Sequence, residues 1–139
     1  MDLRQLTPDL AVSGQIQPED VRVLAEAGFR TLIDNRPDDE VTPDVDHSIM
    51  RQAADNAGLE FHYIPFHPGE ITQQMIADYA EALAGAKPAL AYCRSGNRST
   101  VLWALANAHR ISEAELMETG AKAGYDLSPV LPLIRSLAG

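Results

Sequence analysis

The sequence predicts an α/β fold of three layers, with a mostly parallel central sheet of about four to five strands flanked by helices. Three observations predict it. Short apolar, β-rich runs alternate with stretches of helical spacing along the whole chain. Glycine, proline or a capping residue punctuates the helical stretches. The run Ala89–Tyr92 is apolar throughout, as a strand buried on both faces has to be.

The elements follow in order. Leu10–Ser13 is a short first strand. Pro18 then opens a helix in which Val21, Leu24 and Ala25 share a face, and Gly28 closes it. Residues 30–34 form the second strand, which runs into the polar loop Asn35-Arg36-Pro37-Asp38-Asp39-Glu40. A second helix is expected over 43–57, ended by Gly58, and it leads to a strand over 61–64 that Pro65 stops. After the loop over 66–71, Thr72 is an N-cap for a helix with Ile76, Tyr79, Ala80 and Leu83 on one side.

The apolar strand Ala89–Tyr92 is the fourth. The helix after it, expected over 99–109, carries Val101, Leu102, Trp103 and Leu105 around most of its circumference, which requires burial against the sheet. Ser112-Glu113-Ala114-Glu115 is a capping box for the next helix, and Ser128-Pro129 starts a short last one over 130–137. Ligands of parallel sheets collect beyond the carboxyl ends of the strands. The loops beginning at Asp34, Pro65 and Cys93 are therefore expected to share one rim.

A chain of 139 residues that is 45% hydrophobic is read as one domain over 1–139. Its net charge of −9 argues against nucleic acid or an anionic membrane as partner. No segment reads as a signal peptide or a membrane helix, so the expected location is cytoplasmic. The single cysteine, Cys93, allows no internal disulfide and no zinc site built on cysteine pairs. His47, His62 and His109 lack metal-ligand spacing, and neither a metal nor a cofactor is expected.

Cys93 stands where the apolar strand gives way to Arg94-Ser95-Gly96-Asn97-Arg98-Ser99, just before a helix. Backbone N–H groups of such a turn and the positive end of the helix favour a thiolate, which is a nucleophile. Gly96 permits positive φ and Asn97 tolerates it; Ser95 and Ser99 offer hydroxyls. Arg98 can bring its guanidinium fork over the mouth of the loop, while Arg94 points outward and helps to draw in an anion. Arg36, on the same rim, is a candidate anion contact. Tyr92 is expected to face away from the nucleophile, because side chains alternate along a strand.

The segments Leu10-Ala11-Val12-Ser13-Gly14-Gln15, Ile33-Asp34-Asn35-Arg36-Pro37-Asp38 and Tyr92-Cys93-Arg94-Ser95-Gly96-Asn97-Arg98-Ser99 resemble the phosphatase-like domain of beta-lactamase-hydrolase-like proteins. The resemblance spans nearly the full chain and implies a fold similar to the tyrosine and dual-specificity phosphatases. It implies either of two activities, phosphatase or sulfurtransferase. Tyrosine phosphatases place five residues between cysteine and arginine; here four separate Cys93 from Arg98, and the position of the arginine is Ser99. Cys-Arg-Ser-Gly-Asn-Arg is instead similar to the active loop of rhodanese sulfurtransferases.

The resemblance also implies an aspartate general acid on the loop after the third strand. That loop has none and offers only His67 or Glu70. Loop length and the missing acid together lead to the expectation of a sulfurtransferase that carries a sulfane sulfur from thiosulfate or a persulfide as a Cys93 persulfide. The expected partners are then a small anionic substrate (thiosulfate, a persulfide or a phosphate ester), a thiol acceptor and a sulfur-metabolism enzyme. The alternatives are a phosphatase acting through a Cys93 phosphoenzyme, and a non-catalytic anion or persulfide carrier.

Overall fold

A computed structural model describes residues 1–139. Its sheet has five strands in the order β1-β2-β5-β3-β4. The strands β2 (Leu10–Ser13), β5 (Ala89–Tyr92), β3 (Thr31–Asp34) and β4 (Glu60–Tyr63) are parallel to one another, and β1 (Arg4–Thr7) is added antiparallel at the edge. Ser13 and Asp34 both pair with Tyr92, and Asp34 pairs with Tyr63. The four parallel strands therefore end level, and this places the loops that follow them on one rim.

Alternation along the strands divides the core in two. Ala11, Leu32, Leu90 and Tyr92 pack with α1 (Pro18–Glu26) and α2 (His47–Ala57). Leu10, Val12, Ile33, Ala89 and Ala91 pack on the other face, with α3 (Gln73–Leu83), α4 (Asn97–Asn107), α5 (Glu113–Lys122) and α6 (Leu131–Ala138). Tyr92 thus faces the α1/α2 layer, as alternation requires. Every residue of α4 from Ser99 to Asn107 is buried, so the helix that follows the cysteine loop is the central post of its layer. Truncating Leu102 there to alanine costs about 2–5 kcal/mol, the range for a core leucine.

Most boundaries differ from the sequence reading by a residue or two, and three differences are larger or bear on the site. β1 was not expected: it is four residues long, mostly exposed and paired on one side only, so it lacks the apolar run by which strands are recognised. The helix expected from residue 43 begins at His47, because Asp46 caps it through the Ile49 N–H (3.0 Å) and Pro43–Val45 forms a separate 3-10 turn. Most consequential for the site, α4 begins at Asn97, so Arg98 lies in the first turn of the helix and not in the loop. No helix is long and apolar enough to cross a membrane.

Candidate active site

Cys93 is the first residue beyond β5, wholly buried, with its N–H donating to the Ser13 carbonyl of the adjacent strand (3.2 Å). The chain then turns tightly back over it. Gly96, at φ 92°, caps α4, and its N–H donates to Cys93 Sγ at 3.0 Å. The Asn97 N–H is taken by Ser95 Oγ (3.3 Å). The N–H groups of Arg94, Ser95, Arg98 and Ser99 have no acceptor within the protein. Four unengaged donors, one thiol and a helix N-terminus in a single turn form an anion-binding loop.

The turn is clamped from three sides. Gly14 lies so close beneath it that a Cβ there would stand 2.9 Å from the Arg94 carbonyl oxygen. Tyr125 Oη donates to the Ser95 carbonyl (2.9 Å), and a Cβ on Gly96 would collide with that hydroxyl. Buried Asn35 fastens the third side: Nδ2 donates to the Ile64 carbonyl (2.9 Å), and Oδ1 accepts from Ser99 Oγ (2.8 Å). Buried Tyr79 adds a bond to the Ser99 carbonyl (3.0 Å).

A cleft of about 730 Å³ opens over the loop, lined on its polar side by Arg36, Glu40, Arg94, Ser95, Asn97, Arg98 and Asp126. Phe66, Ile71, Val101 and Val130 contribute an apolar wall. Arg98 is 12% exposed and donates to both oxygens of Glu40 (2.7 and 2.9 Å) and to the Phe66 carbonyl (2.6 Å). Burial works against its charge, but the hydrogen bond with Glu40 and the charges of Cys93 and Glu40 outweigh that and hold Arg98 above its ordinary range. Glu40 in turn is held below the ordinary carboxylate range, chiefly by its hydrogen bond with Arg98. Arg36 reaches the Glu40 carbonyl (3.1 Å) and Gln15 Oε1 (3.2 Å).

The loop therefore brings Cys93, Arg94, Ser95, Gly96, Asn97 and Arg98 together, with Arg36 across the cleft. The Ser99 hydroxyl does not line the cleft but is buried against Asn35; of Ser99 only the N–H is left unengaged at the loop. His67 and Glu70 are not among the residues brought to the cleft: His67 Nε2 lies 3.1 Å from Asp39 and its Nδ1 3.7 Å from Glu70, and neither residue lines it. Glu40, Tyr125 and Asp126 were not anticipated. Below the loop, burial pushes the Asp34 carboxyl up to about 7, against the pull of the Arg36 N–H that it accepts (2.9 Å). No group of three or more His, Cys, Asp or Glu side chains is placed to hold a metal ion.

The comparisons with known proteins decide the family. Residues 2–110 match the family model described as "Beta-lactamase hydrolase-like protein, phosphatase-like domain". The chain belongs to that family. A beta-lactamase hydrolase-like protein of Agrobacterium fabrum is 31% identical over 121 residues, which are 85% of this chain and 28% of that protein. The chain thus spans less than a third of the length of this relative.

Among solved structures, the phosphatase-like domain resembles a candidate phosphatase of Neisseria meningitidis, at 27% identity and a TM-score of 0.84, over 99% of each chain. It also shares the fold of Pseudomonas aeruginosa TpbA in complex with phosphotyrosine, at 18% identity and a TM-score of 0.65, over 99% of this chain and 83% of that one.

These findings correct the sulfurtransferase expectation. The family and the Neisseria structure are of phosphatase type, and the match runs through the entire sheet and not only the cysteine loop. The four-residue spacing of Cys93 and Arg98 stands, but it is a local feature, and the match over the whole fold outweighs it; Arg98 itself reaches the cleft from the first turn of α4.

Proposed function

We propose that this chain is a cysteine-dependent phosphatase that hydrolyses a phosphate monoester through a Cys93 phosphoenzyme. The observation that carries the reading is the set of four unengaged N–H donors wrapped around a buried thiol whose Sγ already accepts the Gly96 N–H. The phosphoryl oxygens are held by the amides of Arg94, Ser95, Arg98 and Ser99 and by the Arg98 fork, with Arg94 and Arg36 at the mouth. Asn97 lines the entrance.

Cys93 Sγ, as thiolate, attacks phosphorus. The S–P bond forms as the bond from phosphorus to the leaving oxygen breaks, and that oxygen departs with the electron pair. Water then attacks the phosphocysteine, the S–P bond breaks, and the thiolate and inorganic phosphate are released. Equatorial charge that builds up on the transferring group meets donors already in place, so little reorganisation is needed in the transition state. The phosphotyrosine bound in the TpbA structure supports a phosphate monoester as the class of ligand.

The test is turnover of p-nitrophenyl phosphate by the wild-type protein and by Cys93→Ser, with intact-mass analysis after acid quench. The expected result is turnover that the substitution abolishes and a phosphate adduct on Cys93. No turnover and no adduct overturns the reading.

A further inference from the structure

The proposed reaction needs a proton for the leaving oxygen, and the loop after β4 does not supply it, because His67 and Glu70 face Asp39 and solvent. Only two carboxylates line the cleft, Glu40 and Asp126. Glu40 is committed to Arg98 through both oxygens and stays ionised through that bond. Asp126 is not committed in this way. Its Oδ1 accepts the Ser128 N–H (2.9 Å), and Oδ2 makes no hydrogen bond.

The segment that carries Asp126 is fixed to the cysteine loop. Tyr125, one residue earlier, donates its hydroxyl to the Ser95 carbonyl (2.9 Å) and its N–H to the Gly120 carbonyl at the end of α5 (2.8 Å). Arg4 stands over the Tyr125 ring at 5.8 Å and donates to the Ala123 carbonyl (2.9 Å), so β1 also braces the segment. Asp126 is thus a carboxylate on a braced segment that lines the same cleft as the anion loop, where a proton donor is needed.

We propose that Asp126 protonates the leaving oxygen, an inference that rests on the phosphatase reading above. As Cys93 Sγ displaces the ester oxygen, the proton of the Asp126 carboxyl passes to that oxygen, giving a neutral alcohol and the Asp126 carboxylate. In the second step the carboxylate takes the proton of the attacking water, and both groups return to their starting states. The Ser128 N–H holds the Asp126 carboxyl below its ordinary range. The other charged groups that line the cleft are Arg36, Arg94, Arg98 and Glu40. The acid form, and with it turnover of esters with poor leaving groups, belongs to the acidic side of the pH range.

The experiment is a panel of aryl phosphates that runs from an acidic nitrophenol to phenol as leaving group, with wild type, Asp126→Asn and Asp126→Glu. A departing oxygen that is already a stable anion needs no proton. The expected loss in Asp126→Asn is therefore under about 3-fold for the dinitrophenyl ester and about 100-fold or more for phenyl phosphate. Asp126→Glu recovers part of the phenyl phosphate rate. The asparagine oxygen can still accept the Ser128 N–H, so the fold is preserved, and an unchanged thermal midpoint verifies it. A loss that is equal across the panel, or no loss, overturns the assignment of Asp126 alone. Absence of wild-type turnover overturns both this inference and the phosphatase reading.

Discussion

Glu40 and Arg98, 58 residues apart in sequence, meet at the cleft as a two-bond pair at 2.7 and 2.9 Å. Glu40 takes the Nη1–Nη2 edge of the guanidinium, so it orients Arg98, and its negative charge opposes a bound anion. Glu40→Gln keeps an acceptor for Arg98 and removes the competing charge. The expected outcome is inorganic phosphate binding tighter by about fivefold, or about 1 kcal/mol, a figure reduced for the partial exposure of the pair. Isothermal titration calorimetry with phosphate measures it. Weaker binding in the variant would mean that orientation of the fork outweighs the competition.

Asp34 gives a pH dependence of stability. Its folded-state carboxyl titrates at about 7 because burial disfavours the charge, against 3.8 for an ordinary aspartate. Between those values the folded chain holds a proton that the unfolded chain has released, so the contribution of this residue to stability falls as pH rises and levels off above about 7. Asp34→Asn removes the titration but keeps an acceptor for the Arg36 N–H. Urea unfolding is expected to show little difference from wild type at pH 4 and a more stable variant at pH 8. The upper bound is about 4 kcal/mol, for about three pH units. A difference that does not grow with pH would contradict the assignment.

The parts of the site that were legible in the sequence are those fixed by neighbours along the chain. A glycine and two arginines within five residues of Cys93, at the end of an apolar strand, mark an anion loop because a strand-to-helix turn is a local structure. Glu40 was not legible: it closes a run of acidic residues, Asp38-Asp39-Glu40, and nothing in that run distinguishes the one that reaches Arg98. Tyr125 and Asp126 follow a helix that packs far along the chain from Cys93, and no periodicity links the two.

The order of the sheet was likewise out of reach. The alternation of elements predicts parallel strands but not that β5 enters between β2 and β3, the insertion that puts Tyr92 between Ser13 and Asp34 and Cys93 just beyond them. The activity was not legible either: the spacing of Cys93 and Arg98 is one residue short of the tyrosine phosphatase pattern, and only a match over the whole fold outweighs it.

Gly96 combines two constraints, a φ of 92° and contact with Tyr125. Gly96→Ala is expected to lower stability by about 2–3 kcal/mol, from left-handed strain plus the displaced tyrosine, and to abolish turnover because the N–H that faces Cys93 moves. Adding Tyr125→Phe removes the hydroxyl from the collision but not the strain. The double variant should recover part of the stability and none of the activity. Thermal unfolding and p-nitrophenyl phosphate turnover separate the two effects; full recovery of both would leave φ without a role.

Asn35 joins three elements through one side chain. It leaves β3, bonds the Ile64 carbonyl that follows β4, and receives the Ser99 hydroxyl from the first turn of α4, while its own N–H bonds the Tyr92 carbonyl. Asn35→Ala strands a buried carbonyl and a buried hydroxyl together, and each unsatisfied group costs about 1–3 kcal/mol. The expected loss of stability is about 2–4 kcal/mol by chemical denaturation. Asn35→Asp still accepts from Ser99 but cannot donate to Ile64, so it isolates one of the two bonds. It also buries a charge unless it takes up a proton, so its deficit should shrink as pH falls. If the aspartate variant were as stable as wild type at pH 8, the bond to Ile64 would not be what holds the β4 loop against α4, and the bracing of Arg98 by the Phe66 carbonyl would need another cause.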